Sequence, residues 1–310
     1  MKNKYKKILT IALVSLSVFS QKNIPLAIAE NTTSSFKLIK ILEKGQVDWT
    51  NKVVRVKGRG AFPNNGAEPQ KRLRARIAAR ADAYRNLAEM INGVQVTYNK
   101  RVNDFTKNDN IMTLRVDAVV KGARQTGLEK QLTDGSIEVE LYLPLFGNGS
   151  IASALDLGNY VNNTNTLEAS IPYRVASLKD FAIPEKIVEN NLPDKNNISG
   201  LIIDARNLAV EPAMSPFLVA GGKVIYAGNK VEADPDNIIK YGVTDYTNSL
   251  ESAKKDVERI GNRPVIIEAS GVSGNPSRTN ILLDEITVKD LLKANEKTKF
   301  LTNLHVVIVI

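Results

Sequence analysis

The stretch RLRARIAARADAYRNLAEMINGVQV, Arg72 to Val96, constrains this chain more than any other. On a helix of about 3.6 residues per turn, Leu73, Ile77, Ala81, Tyr84, Ala88 and Ile91 recur at three- and four-residue steps, with Leu87 and Met90 beside them. The spacing predicts a helix from about Glu68 to Asn92, closed by Gly93, with that stripe against a sheet. Alanines at 81, 88 and 78 would permit a close approach, and alanine is also the best helix former. Arg72, Arg76 and Arg80 are spaced by four, and Arg74 and Arg85 add to the outer surface. Such a face is most simply a solvated one whose long stems cover apolar rim. The same residues are candidates for docking an acidic partner, lipid headgroups or an anionic cell-wall polymer.

Overall charge argues against nucleic acid. The formal +9 is unevenly placed: Lys2, Lys4, Lys6, Lys7 and Lys22 precede Glu30, and no acid does. The opening MKNKYKKILTIALVSLSVFSQKNIPLAIAE has the basic head, the apolar run from Ile8 to about Phe19 and the small-residue Ala27-Ile28-Ala29 of a secretory signal. Cleavage after Ala29 is predicted. The apolar run falls short of the roughly 20 residues that cross a bilayer as a helix. Setting residues 1–29 aside leaves 37 of the 42 basic residues against 33 acidic ones, a net charge of about +4. That excess is too small for a long-range field, and export removes the chain from nucleic acid. Cysteine is absent, which excludes disulfides, a thiol nucleophile, thiolate metal ligands and a lipidated cysteine. The expectation is a periplasmic chain with at most peripheral membrane association.

Punctuation along the sequence divides it into a signal at 1–29, a first domain at 30–147, a linker at 148–198 and a second domain at 199–310. In KVVRVKGRGA, Val54 and Val56 alternate with Arg55 and Lys57 as in a strand with one wet face, and Gly58 and Gly60 read as a turn. After the helix, VQVTYNKRVNDF, IMTLRVDAVVKGARQTGLEKQL and SIEVELYLPL are three strand-like runs, the last pair joined by the hairpin signal Asp134-Gly135. The order β-α-β-β-β predicts an α+β N-terminal domain, one helix on an antiparallel-rich sheet. The segment FGNGSIASALDLGNYVNNTNTLEAS reads as loop or linker with room for a helical turn inside it. Beyond it, LIIDARNL, the Gly221-Gly222 hairpin PFLVAGGKVIYAG, a helix near 248–260, RPVIIEASGV, a helix opened by Thr287 and LHVVIVI alternate as in a smaller α/β domain.

VDWTNKVVRVKGRGAFP, RARIAARADAYRNLAEMINGVQV and VKGARQTGLEKQLTDGSIEVELYLPLFG, about residues 46–147, resemble the N-terminal domain of an envelope family. That family contains the LPP-twenty-type lipoproteins and the flagellar assembly protein FlgT. SGLIIDARNLAVEPAMSPFLVAGGKVIYAG and YGVTDY are similar to a C-terminal region of its longer exported relatives. The resemblance implies a non-enzymatic envelope protein without cofactors, working through envelope or basal-body partners; FlgT itself belongs to a ring around the flagellar basal body. The lipoproteins carry a lipid-modified cysteine that this chain lacks, so any membrane association runs through protein contacts.

Catalytic constellations are thin. The single histidine, His305, lies in an apolar run, where a structural role is the simpler reading, and no G-x-S-x-G elbow is present. Gly222-Lys223 lacks the rest of a phosphate loop, and Glu232, Asp234 and Asp236 miss the spacing of a calcium loop. Asp204, Arg206 and Glu211 follow a buried-strand signal, where α/β folds place ligand sites; an Asp-Arg pair fixing a loop is the simpler reading. No catalytic, cofactor or metal residue is assigned. The partner-surface candidates are Arg72, Arg76, Arg80, Arg85, Asp204, Arg206 and Glu211. The expected function is structural or assembly work through protein contacts, flagellar-ring-associated in the FlgT manner; the alternative is a periplasmic ligand-binding module for anionic envelope components.

Overall fold

A computed structural model of the chain describes residues 38–42, 44–164 and 197–310. The predicted signal and residues 165–196 of the predicted linker lie outside the described residues. The fold is mixed α/β, with an antiparallel sheet in the N-terminal half and a parallel-rich region in the C-terminal half.

Strands β1 (Ile39–Leu42), β2 (Gly45–Asp48) and β3 (Val53–Gly60) form a meander, and β3 pairs along its whole length with β8 (Ile137–Pro144). Short β6 (Arg124–Gln125) and β7 (Lys130–Gln131) pair with the far edge of β8, and the Asp134-Gly135 turn joins β7 to β8. Residues directly opposite share a face. Arg55, Lys57 and Arg59 therefore meet Tyr142, Glu140 and Glu138 on the wet side. There Lys57 and Arg59 converge on Glu138 at 3.1 and 3.0 Å, and the Arg55 guanidinium stands 5.7 Å from the Tyr142 ring centroid. The dry side carries Val54, Val56, Ile137, Val139, Leu141 and Leu143, each worth roughly 1.5–3 kcal/mol when buried.

Helix α1 spans Glu68–Asn92, as the periodicity predicts, and Gly93 ends it by donating its N–H to the Met90 and Ile91 carbonyls. It lies on the dry side, where the C-terminal part of the predicted stripe (Leu87, Met90 and Ile91) is buried as expected, but its N-terminal half turns a different face to the sheet. Ala75, Ala79, Ala83, Leu87, Met90 and Ile91 are buried, whereas Leu73 and Ile77 are 53% and 60% exposed. The cause sits in β3. A Cβ on Gly58 would stand 2.1 Å from Ala83 N, and one on Gly60 would stand 2.0 Å from Ala75 O. These glycines are not a turn; they remove side chains from the strand so that helix backbone and strand backbone touch, which only alanine on the helix permits. Helix α1 also caps an open edge. Strand β2 covers only Val53 to Val56 of β3. Beyond it Asn86 Nδ2 donates to the Lys57 carbonyl at 2.7 Å, and the Arg59 N–H donates to Asp82 at 2.9 Å.

Two of the strand-like runs contain helices. Residues 95–106 give a small hairpin, β4 (Gln95–Thr97) with β5 (Lys100–Arg101), followed by α2 (Val102–Thr106). The next run forms α3 (Asn110–Lys121), because Asp109 accepts the N–H groups of Ile111 and Met112 and so starts a helix. Val116 and Val120, four apart, are its buried residues. In the predicted linker, residues 151–163 form α4 (Ile151–Ala154) and α5 (Leu157–Asn163), which bury Ile151, Leu155, Leu157 and Val161.

In the C-terminal half, β9 (Gly200–Asp204), β12 (Asp245–Thr247), β13 (Pro264–Glu268) and β16 (Val306–Val309) make a parallel sheet in the order β12-β16-β9-β13. Both faces of β9 are covered, which is why Leu201 to Ile203 read as one continuous apolar run. A second sheet joins β10 (Leu218–Ala220), β11 (Lys223–Tyr226), β14 (Gly271–Ser273) and β15 (Asn280–Leu282), with Gly221 and Gly222 at positive φ in the β10–β11 turn. Helix α6 (Pro235–Tyr241) precedes β12. The helix predicted near 248–260 is broken at Asp256 into α7 (Leu250–Lys255) and α8 (Val257–Ile260), each with its own side-chain cap. The last helix, α9 (Glu285–Thr298), opens at Asp284 rather than Thr287, since the Asp284 carboxylate accepts the Thr287 N–H. One hydrophobic core runs through both halves, and Trp49 meets Tyr246 edge-on with ring centroids 5.9 Å apart.

Candidate functional site

The two halves are sewn together at the β4–β5 hairpin. Met214 and Ser215 donate their N–H groups to the Gln95 and Val96 carbonyls at 3.0 and 2.8 Å, and the Ser277 N–H donates to the Tyr98 carbonyl at 3.2 Å. Gln95 is the buried node of this seam. Its Oε1 accepts from Ser277 Oγ and Arg101 Nε, each at 3.1 Å, while its Nε2 donates to the Thr97 carbonyl. A side chain satisfied at both ends fixes the hairpin's register to the C-terminal half.

Above that seam opens a cavity of about 520 Å³. Its aromatic walls are Tyr98, Phe105, Tyr160 and Phe217. Phe105 from α2 and Tyr160 from α5 pack edge to face, their centroids 4.7 Å apart, and Lys100 Nζ stands 5.5 and 5.4 Å from the two rings. The rings hold the ammonium in place through their negative faces. Arg115 from α3 supplies a second cation, and Asn99, Asn159 and Asn163 supply carboxamides. The Asp156 carboxylate also lines the cavity and accepts from Asn159 Nδ2 at 3.0 and 3.1 Å. Two cations, carboxamides and aromatic faces suit a polar, partly cyclic ligand with an anionic group. A smaller cavity of about 300 Å³ lies below the seam, walled by Val47, Trp49, Met90, Val210 and Pro212 with Glu211 on its lining.

The sequence candidates lie elsewhere and are dispersed. Arg72 donates to Gln131 Oε1 at 3.1 Å, Arg76 pairs with Glu129, and Arg80 is exposed on the same flank of α1. The Arg76 hydrogen bond holds the Glu129 carboxyl below the usual carboxylate range. Arg85 lies on the opposite side of the helix, about 180° round from Arg76, and pairs with Asp82. At the carboxyl end of β9, Asp204 and Arg206 form a two-pronged pair at 2.9 and 2.7 Å. The Arg206 guanidinium keeps the Asp204 carboxyl low, and Glu268 stands in register with Asp204 on β13. Glu211 belongs to the small cavity, apart from that pair. His305 Nδ1 lies 2.8 Å from the Ser199 carbonyl, so this nitrogen donates and the ring ties β16 to the start of β9. Among the described residues no group of three or more acids or histidines is placed to hold a metal, and no helix is long and apolar enough to cross a membrane. Sequence reasoning missed Lys100, Phe105, Arg115 and Tyr160. For Lys100, Phe105 and Tyr160 the signal is the concentration of aromatic and asparagine residues in YNKRVNDF and GNYVNN; for Arg115 the sequence offers none.

Residues 200–310 match a family model described as Treponema pallidum Tp0624, second domain. The matched region contains the parallel sheet, Asp204, Arg206 and Phe217; the other residues named in the large cavity belong to the N-terminal half. No curated protein matches the chain.

Proposed function

We propose that this is a non-enzymatic, exported protein of the cell envelope that binds an anionic envelope component in the cavity at its seam. The observation that carries the reading is Lys100, held over Phe105 and Tyr160 beside Arg115 in a cavity of about 520 Å³. The signal-like N-terminus and the resemblance of residues 46–147 to envelope proteins support export and the periplasm. The chain, titrated with soluble anionic cell-wall fragments, should show a saturable thermal shift. Lys100→Ala and Arg115→Ala should each weaken binding at least tenfold without unfolding the protein, because both residues are exposed. Absence of a saturable shift with every fragment refutes the reading.

A second reading, assembly through contacts with envelope or basal-body proteins, is favoured by the cationic flank Arg72, Arg76 and Arg80. Cross-linking in the native host followed by affinity capture tests it. Alanine at all three should leave folding intact and reduce capture of the partner; unchanged capture removes this flank from contention.

A further inference from the structure

The loop between β6 and β7 is fastened to the N-terminal part of α1 by the Arg76–Glu129 ion pair and the Arg72–Gln131 hydrogen bond. Leu128, immediately before Glu129, is 95% exposed. On the helix, Leu73 and Ile77 are one turn apart and 53% and 60% exposed. At 100° per residue, Arg72, Arg76 and Arg80 lie about 100°, 60° and 20° to one side of Leu73, and Ile77 lies about 40° to the other. The loop is thus tied down on the flank that adjoins the apolar stripe.

Arg80 and Arg74, about 20° and 100° to either side of Leu73 on the helix, are exposed cations. The neighbouring acids are engaged: Glu129 by Arg76, and Asp82, about 180° round the helix from Leu73, by Arg85. Branched aliphatic tips standing free in a basic surround need a partner that is apolar just beneath an anionic surface. A bilayer containing acidic lipids has that order of layers: aliphatic tips enter the acyl boundary while guanidinium and ammonium groups remain at the phosphates. We propose that the Leu73, Ile77 and Leu128 face docks on an anionic lipid surface. The proposal is independent of the ligand cavity.

The native chain contains no cysteine, so a single engineered thiol labels one site. Leu128→Cys carrying a nitrobenzoxadiazole probe, in the full chain, would be mixed with vesicles of equal parts phosphatidylglycerol and phosphatidylcholine, and with vesicles of phosphatidylcholine alone. The expected result is a blue shift and brightening on the anionic vesicles only, reversed by high salt. A probe at Ile286→Cys, 78% exposed on α9, should stay unchanged. In the Leu128→Cys background, Leu73→Ser with Ile77→Ser, and separately Arg74→Glu with Arg80→Glu, should each cut partitioning at least tenfold. A Leu128 probe that does not respond overturns the proposal. So does an equal response at Ile286, which would place membrane contact elsewhere. A dimer in light scattering that dissociates on Leu73→Ser with Ile77→Ser, with no probe response, would assign the face to a second copy and overturn it as well.

Discussion

Gly58→Ala adds one methyl group where α1 rests on β3. The new carbon would stand 2.1 Å from Ala83 N and 2.3 Å from Ala79 O. Ordinary contact needs about 3.5 Å, so helix and strand must separate by more than about 1 Å. A gap of that size forfeits about half or more of each dispersion contact it opens. Overpacking of this kind typically costs about 1–3 kcal/mol. Here the obstacle is backbone held in a 25-residue helix rather than the end of a flexible side chain, so the upper end applies. The methyl returns about 0.4–1 kcal/mol by stiffening the unfolded chain, leaving a net loss of roughly 2–3 kcal/mol. Gly93→Ala is the matched control, since its Cβ would find its nearest neighbour at 3.5 Å, an ordinary distance, with φ at −85°. It should leave stability unchanged or raise it slightly. Urea denaturation followed by circular dichroism measures both. A Gly58→Ala protein within about 0.5 kcal/mol of its parent would refute the reasoning that backbone contact selects the buried face of α1.

Arg259 is buried and donates to the carbonyls of Gly242 at 2.9 Å and of Tyr241 and Val306 at 3.4 Å; Arg259→Met should cost about 3 kcal/mol in urea denaturation by leaving the Gly242 and Tyr241 carbonyls unpartnered, the Val306 carbonyl keeping the Thr244 hydroxyl. Asn86→Leu should lose about 1–3 kcal/mol, and hydrogen exchange should show the open edge of β3 opening more often. The Asp204 carboxyl is held low by Arg206, so the pair's contribution is present above the unfolded carboxylate value of about 3.9 and is lost as pH falls through the lower folded value. The stability difference between the parent and Arg206→Gln, about 1 kcal/mol or less at neutral pH, should therefore shrink in urea titrations below about pH 4.

Local sequence determined many of the regular segments and, for several, their kind. The bounds of α1 follow from an uninterrupted run of helix formers ending at glycine, β3 and β8 from strict alternation, and β9 and β16 from short continuous apolar runs. Periodicity could not decide which side of α1 is buried. Leu73 with Ile77 and Ala75 with Ala79 both recur at helical spacing, and the larger side chains give the stronger signal. The choice was made by Gly58 and Gly60 in another segment, which accept backbone but leave no room for leucine. The same limit hid α3, whose start depends on the Asp109 cap, and α4 and α5, whose small polar residues hide side chains that become core only when the two halves meet. The cavity was the least legible feature. Lys100 with Phe105, Arg115, Tyr160 and Phe217 come from four separate stretches, each unremarkable alone, and only closure of the seam around Gln95 brings them together. Helix and strand periods are local properties of the chain, whereas a face, a seam and a cavity are relations between distant segments, fixed by which backbones can approach and which buried polar groups find partners.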